Sequence, residues 1–225
     1  MRHAVLVLAA ALVAAPVQSV QGQDADRSVK GGISVDGWKG RVDRRPASQG
    51  KTVNDSKFAA VPGGFRLSVG PAGNFWSDAN TASGNYTVKA TFKEHKMASS
   101  HPHSYGIFIG GADLESDNET LMYCIAYGNG TYSVKTFHGA NVTTLVDRAA
   151  SPALKKADAN GESTNDIGWR VQGDKATCLI NGTEAKTFDK SEVVGPDKLK
   201  SLDGVYGLRV SHNLELTVTG LGVSK

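Results

Sequence analysis

The sequence contains no apolar run long enough to cross a bilayer. Its extended apolar stretch, residues 4–15, has about a dozen residues, whereas a membrane-spanning helix needs about 20. Arg2 and His3 precede this stretch and small residues follow it, which is typical of a secretory signal peptide. We predict that residues 1–22 are removed, with the cut after Gly22, and that the mature chain is exported to the periplasm or the extracellular space. An uncleaved membrane anchor is the alternative.

The chain also lacks a marked excess of either charge. It has 25 Lys and Arg against 22 Asp and Glu, a net charge of +3, and no basic block. Proteins that bind nucleic acids or anionic membranes through charge carry basic clusters, so we expect neither partner. Residues 23–225 are enough to bury one hydrophobic core, and we predict a single domain there.

Cysteine is scarce, with Cys124 and Cys178 as its only two positions. Disulfides persist in exported proteins, so a bond between the two is one interpretation. Both cysteines lie in apolar segments, so two small buried thiols are the other. The sequence leaves both interpretations open.

Motifs for nucleophilic and nucleotide chemistry are missing as well. The sequence has no Gly-x-Ser-x-Gly motif, no phosphate-binding loop and no dinucleotide fingerprint. Helical periodicity is weak, and its best candidate, residues 151–163, predicts at most a short turn. The sequence therefore disfavours serine hydrolases and nucleotide-dependent enzymes.

A hydrophobic period of two runs through most of the chain. In residues 86–92, Tyr, Val, Ala and Phe alternate with Thr and Lys, which places one face of a strand on a core and the other in water. The same alternation occurs in residues 167–171, 176–180 and 214–218. This pattern predicts an all-β protein.

Turn residues separate these strands. Asn129-Gly130, Gly173-Asp174 and Asn181-Gly182 predict hairpins, because Asn, Asp and Gly accept the positive φ of tight turns. Residues 105–111 and 120–127 are apolar at both alternating sets of positions, which is typical of central strands covered on both sides or lining a groove. Many short strands joined by hairpins favour an antiparallel sandwich.

The order of several segments also resembles a known superfamily. These segments are FWSDANTASGNYTVKATFKE, HPHSYGIFIGGADL, CLINGTEAKTF and GVYGLRVSHNLEL. Together they resemble the concanavalin A-like lectin/glucanase superfamily, and within it the 3-keto-disaccharide hydrolase, or family 16-like glucanase, domain of exported bacterial proteins. The resemblance covers residues 38–223 and implies a jelly roll of two curved antiparallel sheets, whose concave face often holds a saccharide.

Acidic residues crowd the segment after Gly110-Gly111. Family 16 glucanases carry paired carboxylates on one strand, but the order of Asp113, Glu115 and Asp117 differs from that pattern. A solvent-exposed loop is therefore favoured over an acid pair. A structural calcium site formed by these three residues is another interpretation, because calcium prefers oxygen ligands.

Histidines and a glutamate are the candidates for proton transfer: His103, Glu115, His138 and His212. His101 and His103 are the only close histidine pair, and two positions apart on a strand they would face the same way. Zinc would need three or four converging ligands, so histidines in a loop before a strand are the simpler interpretation.

Aromatic side chains are the remaining candidates for saccharide binding, because sugar rings stack on aromatic rings. Trp76, Tyr105, Tyr123 and Tyr127 lie on strands that the resemblance would place in or near the concave sheet. Trp38 and Trp169 are expected in the core.

We therefore expect an exported β-sandwich that binds an oligosaccharide or glycoside. Two alternatives stay open: an enzyme acting on a glycoside, similar to a 3-keto-disaccharide hydrolase, and a structural envelope protein without a small ligand. A groove that holds a general base near its ligand would favour the enzyme.

Overall fold

A computed structural model describes residues 24–98 and 100–225 of the chain, and strands dominate these residues. Two short helices and one 3-10 turn accompany the strands. The strands are β1 (Gly32–Ile33), β2 (Trp38–Val42), β3 (Lys57–Val61), β4 (Gly64–Ser68), β5 (Gly73–Ala82), β6 (Tyr86–Glu94), β7 (Ser104–Ala112), β8 (Thr120–Tyr127), β9 (Thr131–His138), β10 (Asn141–Ala150), β11 (Ser163–Gln172), β12 (Lys175–Ile180), β13 (Thr183–Asp189), β14 (Gly204–Val210) and β15 (Glu215–Ser224). The helices are α1 (Arg44–Ser48) and α2 (Lys190–Val193), and the 3-10 turn is Val53–Asp55.

The strands form two sheets. The eight-stranded sheet has the order β1-β3-β4-β15-β6-β11-β12-β13, and the seven-stranded sheet has the order β10-β9-β8-β7-β14-β5-β2. All neighbours pair antiparallel except β1 and β3. The all-β sandwich predicted from the period of two is confirmed.

The three predicted hairpins are present. Asn181 and Gly182 both have positive φ, at 48° and 78°, and join β12 to β13 with Ile180 opposite Thr183. Gly173-Asp174 connects β11 to β12, and Asn129-Gly130 lies in the turn between β8 and β9. Residues with short polar or absent side chains accept these left-handed conformations, as expected.

The opening segment supplies edge strands to both sheets. β2 is the outer strand of the seven-stranded sheet, while β1 and β3 lie at one end of the other sheet. Helix α1 follows β2 and places Asp43, its N-cap, near the seven-stranded sheet. Residues 151–163 contain turns and extended backbone, without a helix.

Apolar side chains from both sheets form the core between them. Trp169 of β11 is fully buried there, and its indole nitrogen donates a hydrogen bond to the carbonyl oxygen of Ile107 at 3.0 Å. Cys124 of β8 and Cys178 of β12 are bonded to each other, which covalently links the two sheets. This arrangement corresponds to the disulfide interpretation of the two cysteines.

Strands β7 and β8 lie in the middle of the seven-stranded sheet and are buried along nearly their whole length. One set of alternating side chains enters the core between the sheets, and the other forms a second cluster on the opposite face, which we call the groove face. The buried members of the second cluster are Trp76, Phe108, Leu114, Leu121, Tyr123, Ile125, Tyr127 and Phe137. Both faces of these two strands are therefore buried.

The predicted signal peptide, residues 1–22, lies outside the described residues. Among residues 24–98 and 100–225, no helix combines the length and the apolar character that a membrane crossing requires.

Candidate functional site

A cavity of about 680 Å³, which we call the main cavity, opens on the groove face. Strands β7, β8, β9, β10 and β14 contribute to it, together with α1 and the residues around Asp24. Its lining is Asp24, Ala25, Asp26, Asp43, Arg45, Pro46, Gln49, Lys51, Ala72, His101, Pro102, His103, Ser104, Tyr123, Ile125, Tyr127, Lys135, Arg148, Arg209, Ser211 and His212. A volume of this size falls in the range of small-molecule sites.

Two tyrosines of β8 form part of the floor of the main cavity. Tyr123 and Tyr127 are only 3% and 7% exposed, because neighbouring side chains cover their rings. Tyr123 packs edge-on against Phe137 with ring centroids 5.4 Å apart. Burial raises the pKa of Tyr123 to about 12, so its hydroxyl is neutral at physiological pH.

Arg209 of β14 holds a fixed positive charge beside these rings. Its guanidinium pairs with both carboxylate oxygens of Asp43, with Nη2 and Oδ2 2.7 Å apart. The guanidinium carbon also lies 5.1 Å from the ring centroids of Tyr123 and Phe137, within the range of a cation–π interaction. Burial lowers the pKa of Arg209, but the carboxylate of Asp43 more than offsets this and raises it, so Arg209 stays charged.

Arg148 and Lys135 bring two further positive charges to the main cavity. The guanidinium carbon of Arg148 lies 4.3 Å from the centroid of the Tyr127 ring, and Lys135 lies opposite Tyr123 in the sheet. Neither side chain forms an ion pair with a carboxylate among residues 24–98 and 100–225. Both charges are therefore available to an anionic group.

A β-bulge in β10 sets the position of Arg148. The register shifts between Val146 and Ala149, and Arg148 has a φ of 42°, a left-handed conformation that is uncommon for a long side chain. Its backbone N–H donates to Ser133 Oγ at 2.9 Å, which stabilises the irregular backbone. Bulges commonly redirect a side chain toward a site, and this one coincides with the cavity wall.

Three histidines and one aspartate converge at one end of the main cavity. In this histidine cluster, His101, His103, His212 and Asp24 each offer one ligand atom, and these atoms lie within 4.8 Å of one another. The ring centroids of His103 and His212 are 4.3 Å apart. Their ligand atoms are close enough together to hold a metal ion.

Three distant segments form the histidine cluster. Pro102 and the two histidines beside it precede β7, while His212 lies in the turn between β14 and β15. The backbone N–H of Ser211 donates to the carbonyl oxygen of Ser104 at 2.7 Å, which joins these two segments. The backbone N–H of Arg27 donates to Asn213 Oδ1 at 2.9 Å and holds the N-terminal segment against them.

His103 is the most buried member of the cluster. It is 4% exposed, and burial together with the neighbouring His212 lowers its pKa to about 4. The imidazole is therefore neutral at physiological pH and keeps a free electron pair for a ligand.

Two of the four proton-transfer candidates, His103 and His212, are brought together in this cluster. The other two lie apart from it: Glu115 forms an ion pair with Lys39, and His138 ends β9 opposite Thr120. The sequence did not indicate that Asp24 and His101 would join His212.

Trp76 lies at a second, smaller cavity of about 290 Å³ on the groove face. Its indole nitrogen donates to Asp78 Oδ1 at 3.2 Å. Tyr105, by contrast, points into the core, where its ring stacks on Phe92 at 5.4 Å and its hydroxyl contacts Ser163. The expectation that Tyr105 binds a ligand is thus corrected, because alternate residues of β7 face opposite sides of the sheet.

The carboxylates of the acidic segment, residues 113–119, form ion pairs with basic residues. Asp113 pairs with Lys200, Glu115 with Lys39, Asp117 with Arg41 and Arg44, and Glu119 with Arg41. The pairs with Lys39, Arg41 and Arg44 fasten the segment to β2 and to the start of α1, and the pair with Lys200 fastens it to the loop before β14. The suggested calcium site at Asp113, Glu115 and Asp117 stays a prediction.

No protein-family model matches the chain, and no curated protein matches it. Among solved structures, a Bacillus subtilis protein of unknown function with a galectin-like fold is similar with a TM-score of 0.57 and 14% identity, over 83% of this chain and 88% of that one. The carbohydrate-binding module CBM66 from Bacillus subtilis has a TM-score of 0.56 and 11% identity, over 87% of this chain and 99% of the module. The fold is a concanavalin A-like jelly roll.

A family 7 alginate lyase, A1-II′, in complex with a substrate is also similar to this jelly roll. Its TM-score is 0.51 at 14% identity, over 83% of this chain and 91% of the lyase. At such low identities the similarity shows the fold alone. What the site of this jelly roll does must be argued from its own residues.

Proposed function

We propose that this jelly roll is an exported protein that binds a saccharide in the main cavity, with a preference for saccharides that carry a carboxylate or sulfate. One observation carries the proposal: the tyrosine floor of the cavity is flanked by Lys135 and Arg148, two cations without a carboxylate partner in the described part of the chain.

The aromatic floor suits a sugar ring. Tyr123 and Tyr127 lie four residues apart on β8, an even spacing, so their rings face the same side of the sheet. Arg148 now covers the ring of Tyr127. A saccharide would therefore meet the guanidinium first and contact the tyrosine as the arginine shifts.

The two cations suit an acidic substituent. A guanidinium presents a planar pair of N–H donors that matches a carboxylate or sulfate, and a lysine adds a point charge. Arg209 contributes less directly because Asp43 already neutralises it. A neutral saccharide would leave both charges of Lys135 and Arg148 without a partner.

Similar solved structures support a saccharide ligand in general terms. They include a carbohydrate-binding module and an alginate lyase bound to its substrate, both with the jelly-roll fold. Export rests on the signal-peptide pattern of residues 1–22.

A glycoside-acting enzyme, similar to the 3-keto-disaccharide hydrolases, is the second candidate. The histidine cluster at the end of the main cavity favours it, because His103 and His212 offer nitrogen bases beside the proposed saccharide site. An enzyme would consume the ligand, whereas a binding protein would leave it intact.

Binding is tested by isothermal titration of the processed protein against neutral and uronate-containing or sulfated oligosaccharides of equal length. We expect acidic members to bind at least ten-fold more tightly than neutral ones. Lys135→Gln and Arg148→Gln should each weaken acidic members about ten-fold, as expected for the loss of a charge-assisted hydrogen bond. Lys89→Gln, on an exposed position of β6 in the other sheet, is the matched control for charge and should change nothing.

Equal affinity for neutral and acidic oligosaccharides would refute the proposed preference for acidic saccharides. An unchanged affinity in both cavity variants would refute the main cavity as the site. Failure of every saccharide to bind would favour the structural envelope protein. Chromatography of the recovered ligand then separates a binding protein from an enzyme.

A further inference from the structure

We propose that Asp24, His101, His103 and His212 form a binding site for a transition-metal ion of the zinc type at the end of the main cavity. The proposal concerns the metal alone and holds whether or not the cavity binds a saccharide.

The donor set selects the class of metal. Three imidazole nitrogens and one carboxylate oxygen are ligands that zinc and its neighbours in the first transition series prefer. Calcium and magnesium prefer oxygen ligands throughout, so the histidine cluster disfavours them. The number of protein ligands equals the four that a tetrahedral zinc ion takes.

The spacing of the donor atoms fits such an ion. His103 Nε2 lies 3.4 Å from Asp24 Oδ2, and His212 Nε2 lies 3.5 Å from Asp24 Oδ1. Ligands about 2.1 Å from a tetrahedral zinc are separated from each other by about 3.4 Å. These two separations match that between ligands of one ion, although the two histidines approach different oxygens of Asp24, and the four ligand atoms of the cluster lie within 4.8 Å of one another. Both separations are too long for strong direct hydrogen bonds.

His103 provides an independent observation. It is 4% exposed, and within the described part of the chain its Nε2 has no hydrogen-bond partner. A buried polar nitrogen without a partner destabilises a fold, so native structures rarely retain one. A metal ion at the centre of the histidine cluster would satisfy this nitrogen.

Residues around the cluster orient two of the ligands. Asp26 Oδ1 lies 2.7 Å from His212 Nδ1, which fixes the tautomer of this imidazole and turns Nε2 toward the other histidines. Asn213 Nδ2 donates to Asp24 Oδ2 at 3.0 Å and holds the carboxylate in place. Metal-bound histidines commonly have such a carboxylate on their second nitrogen.

Zinc binding is measured on the processed full-length protein, purified without a histidine tag and stripped with a chelator. Isothermal titration with Zn²⁺ should show one ion per chain. Titration with Co²⁺ should give the intense visible absorption of a tetrahedral site with nitrogen ligands. Excess Ca²⁺ should not displace either ion, even though the acidic segment is the predicted calcium site.

Single substitutions test which side chains bind the zinc ion. His101→Asn removes an exposed ligand, so the fold should persist, and we expect zinc affinity to fall at least 100-fold. Asp26→Asn should lower it 10-fold or more, as is usual for partners of metal-bound histidines. His138→Asn, at the end of β9 and outside the cluster, is the matched control and should bind zinc like the wild type.

Two results would overturn the proposal. One is the failure of the wild-type protein to bind a stoichiometric zinc ion. The other is an equal loss of affinity in His101→Asn and His138→Asn, because this would place the metal elsewhere. Circular dichroism of each variant identifies any loss that comes from unfolding.

Discussion

Glu94 offers a sharp test of the structure, because it is a buried carboxyl group without a basic partner in the described residues. It ends β6, is 1% exposed, and lies 3.5 Å from the hydroxyl of Ser163. Burial disfavours the charged carboxylate and raises the pKa of Glu94 from 4.5 to about 7. We predict that Glu94→Gln stabilises the protein at alkaline pH.

The magnitude follows from the change in pKa. A rise from 4.5 to about 7 corresponds to about 3 kcal/mol of unfolding free energy. Below pH 4.5 the carboxyl is protonated in both states and carries no penalty. Between pH 4.5 and 7 the unfolded chain loses the proton while the folded chain keeps it, so stability falls as the pH rises. Above pH 7 the carboxylate is charged in both states, and its burial lowers the unfolding free energy by the full amount of about 3 kcal/mol.

The assay is urea unfolding, followed by tryptophan fluorescence, of wild type and Glu94→Gln at pH 4, 6 and 8. The variant should match the wild type at pH 4 and exceed it by about 3 kcal/mol at pH 8. Glu184→Gln is the control, because Glu184 is exposed and its ion pair with Arg170 contributes at most about 1 kcal/mol. A difference between Glu94→Gln and wild type that is the same at pH 4 and pH 8 would refute the reasoning.

Two further predictions concern bonds between segments that are distant in the sequence. Replacing Cys124 and Cys178 by Ala should lower the unfolding free energy by about 4 kcal/mol, since the bond spans 54 residues; mass spectrometry that finds two free thiols in the wild type would contradict the bond. Arg209→Met should cost about 3 kcal/mol in urea unfolding because it leaves the Asp43 carboxylate without its buried partner, and Asp43→Asn in the same chain should recover part of the loss. A double variant no more stable than Arg209→Met would argue against the pair.

Much of the fold could be predicted from the sequence because the signals for strands and hairpins are local. Alternation in residues 86–92 indicated one inward face of β6, and Tyr86, Val88, Ala90 and Phe92 are indeed buried. The pairs of turn residues marked three hairpins by their tolerance of positive φ. The short helix α1 was missed, because five residues are too few for a helical period to show.

The site could be predicted only in part, because its residues meet through the order of the sheet. His103 and His212 are far apart in the sequence, and they meet only because β14 pairs with β7. Asp24 lies two residues after the predicted signal-peptide cut, in a segment without a recognisable motif, so the sequence did not indicate a role for it. The position of the Arg148 side chain depends on a β-bulge in β10, and no local sequence pattern indicates this bulge.

The two faces of the seven-stranded sheet therefore separate the core between the sheets from the proposed binding site. Along β8, Met122 and Cys124 enter the core between the sheets, while Tyr123 and Tyr127 face the cavity. Since adjacent residues of a strand face opposite sides, substitutions at Met122 and Cys124 should alter the unfolding free energy, whereas substitutions at the buried Tyr123 and Tyr127 should alter both the unfolding free energy and the affinity for the proposed ligand. A slip of one residue in this strand would exchange the two sets. The inter-sheet bond at Cys124 opposes such a slip, and so it holds the cavity floor in register as well as joining the sheets.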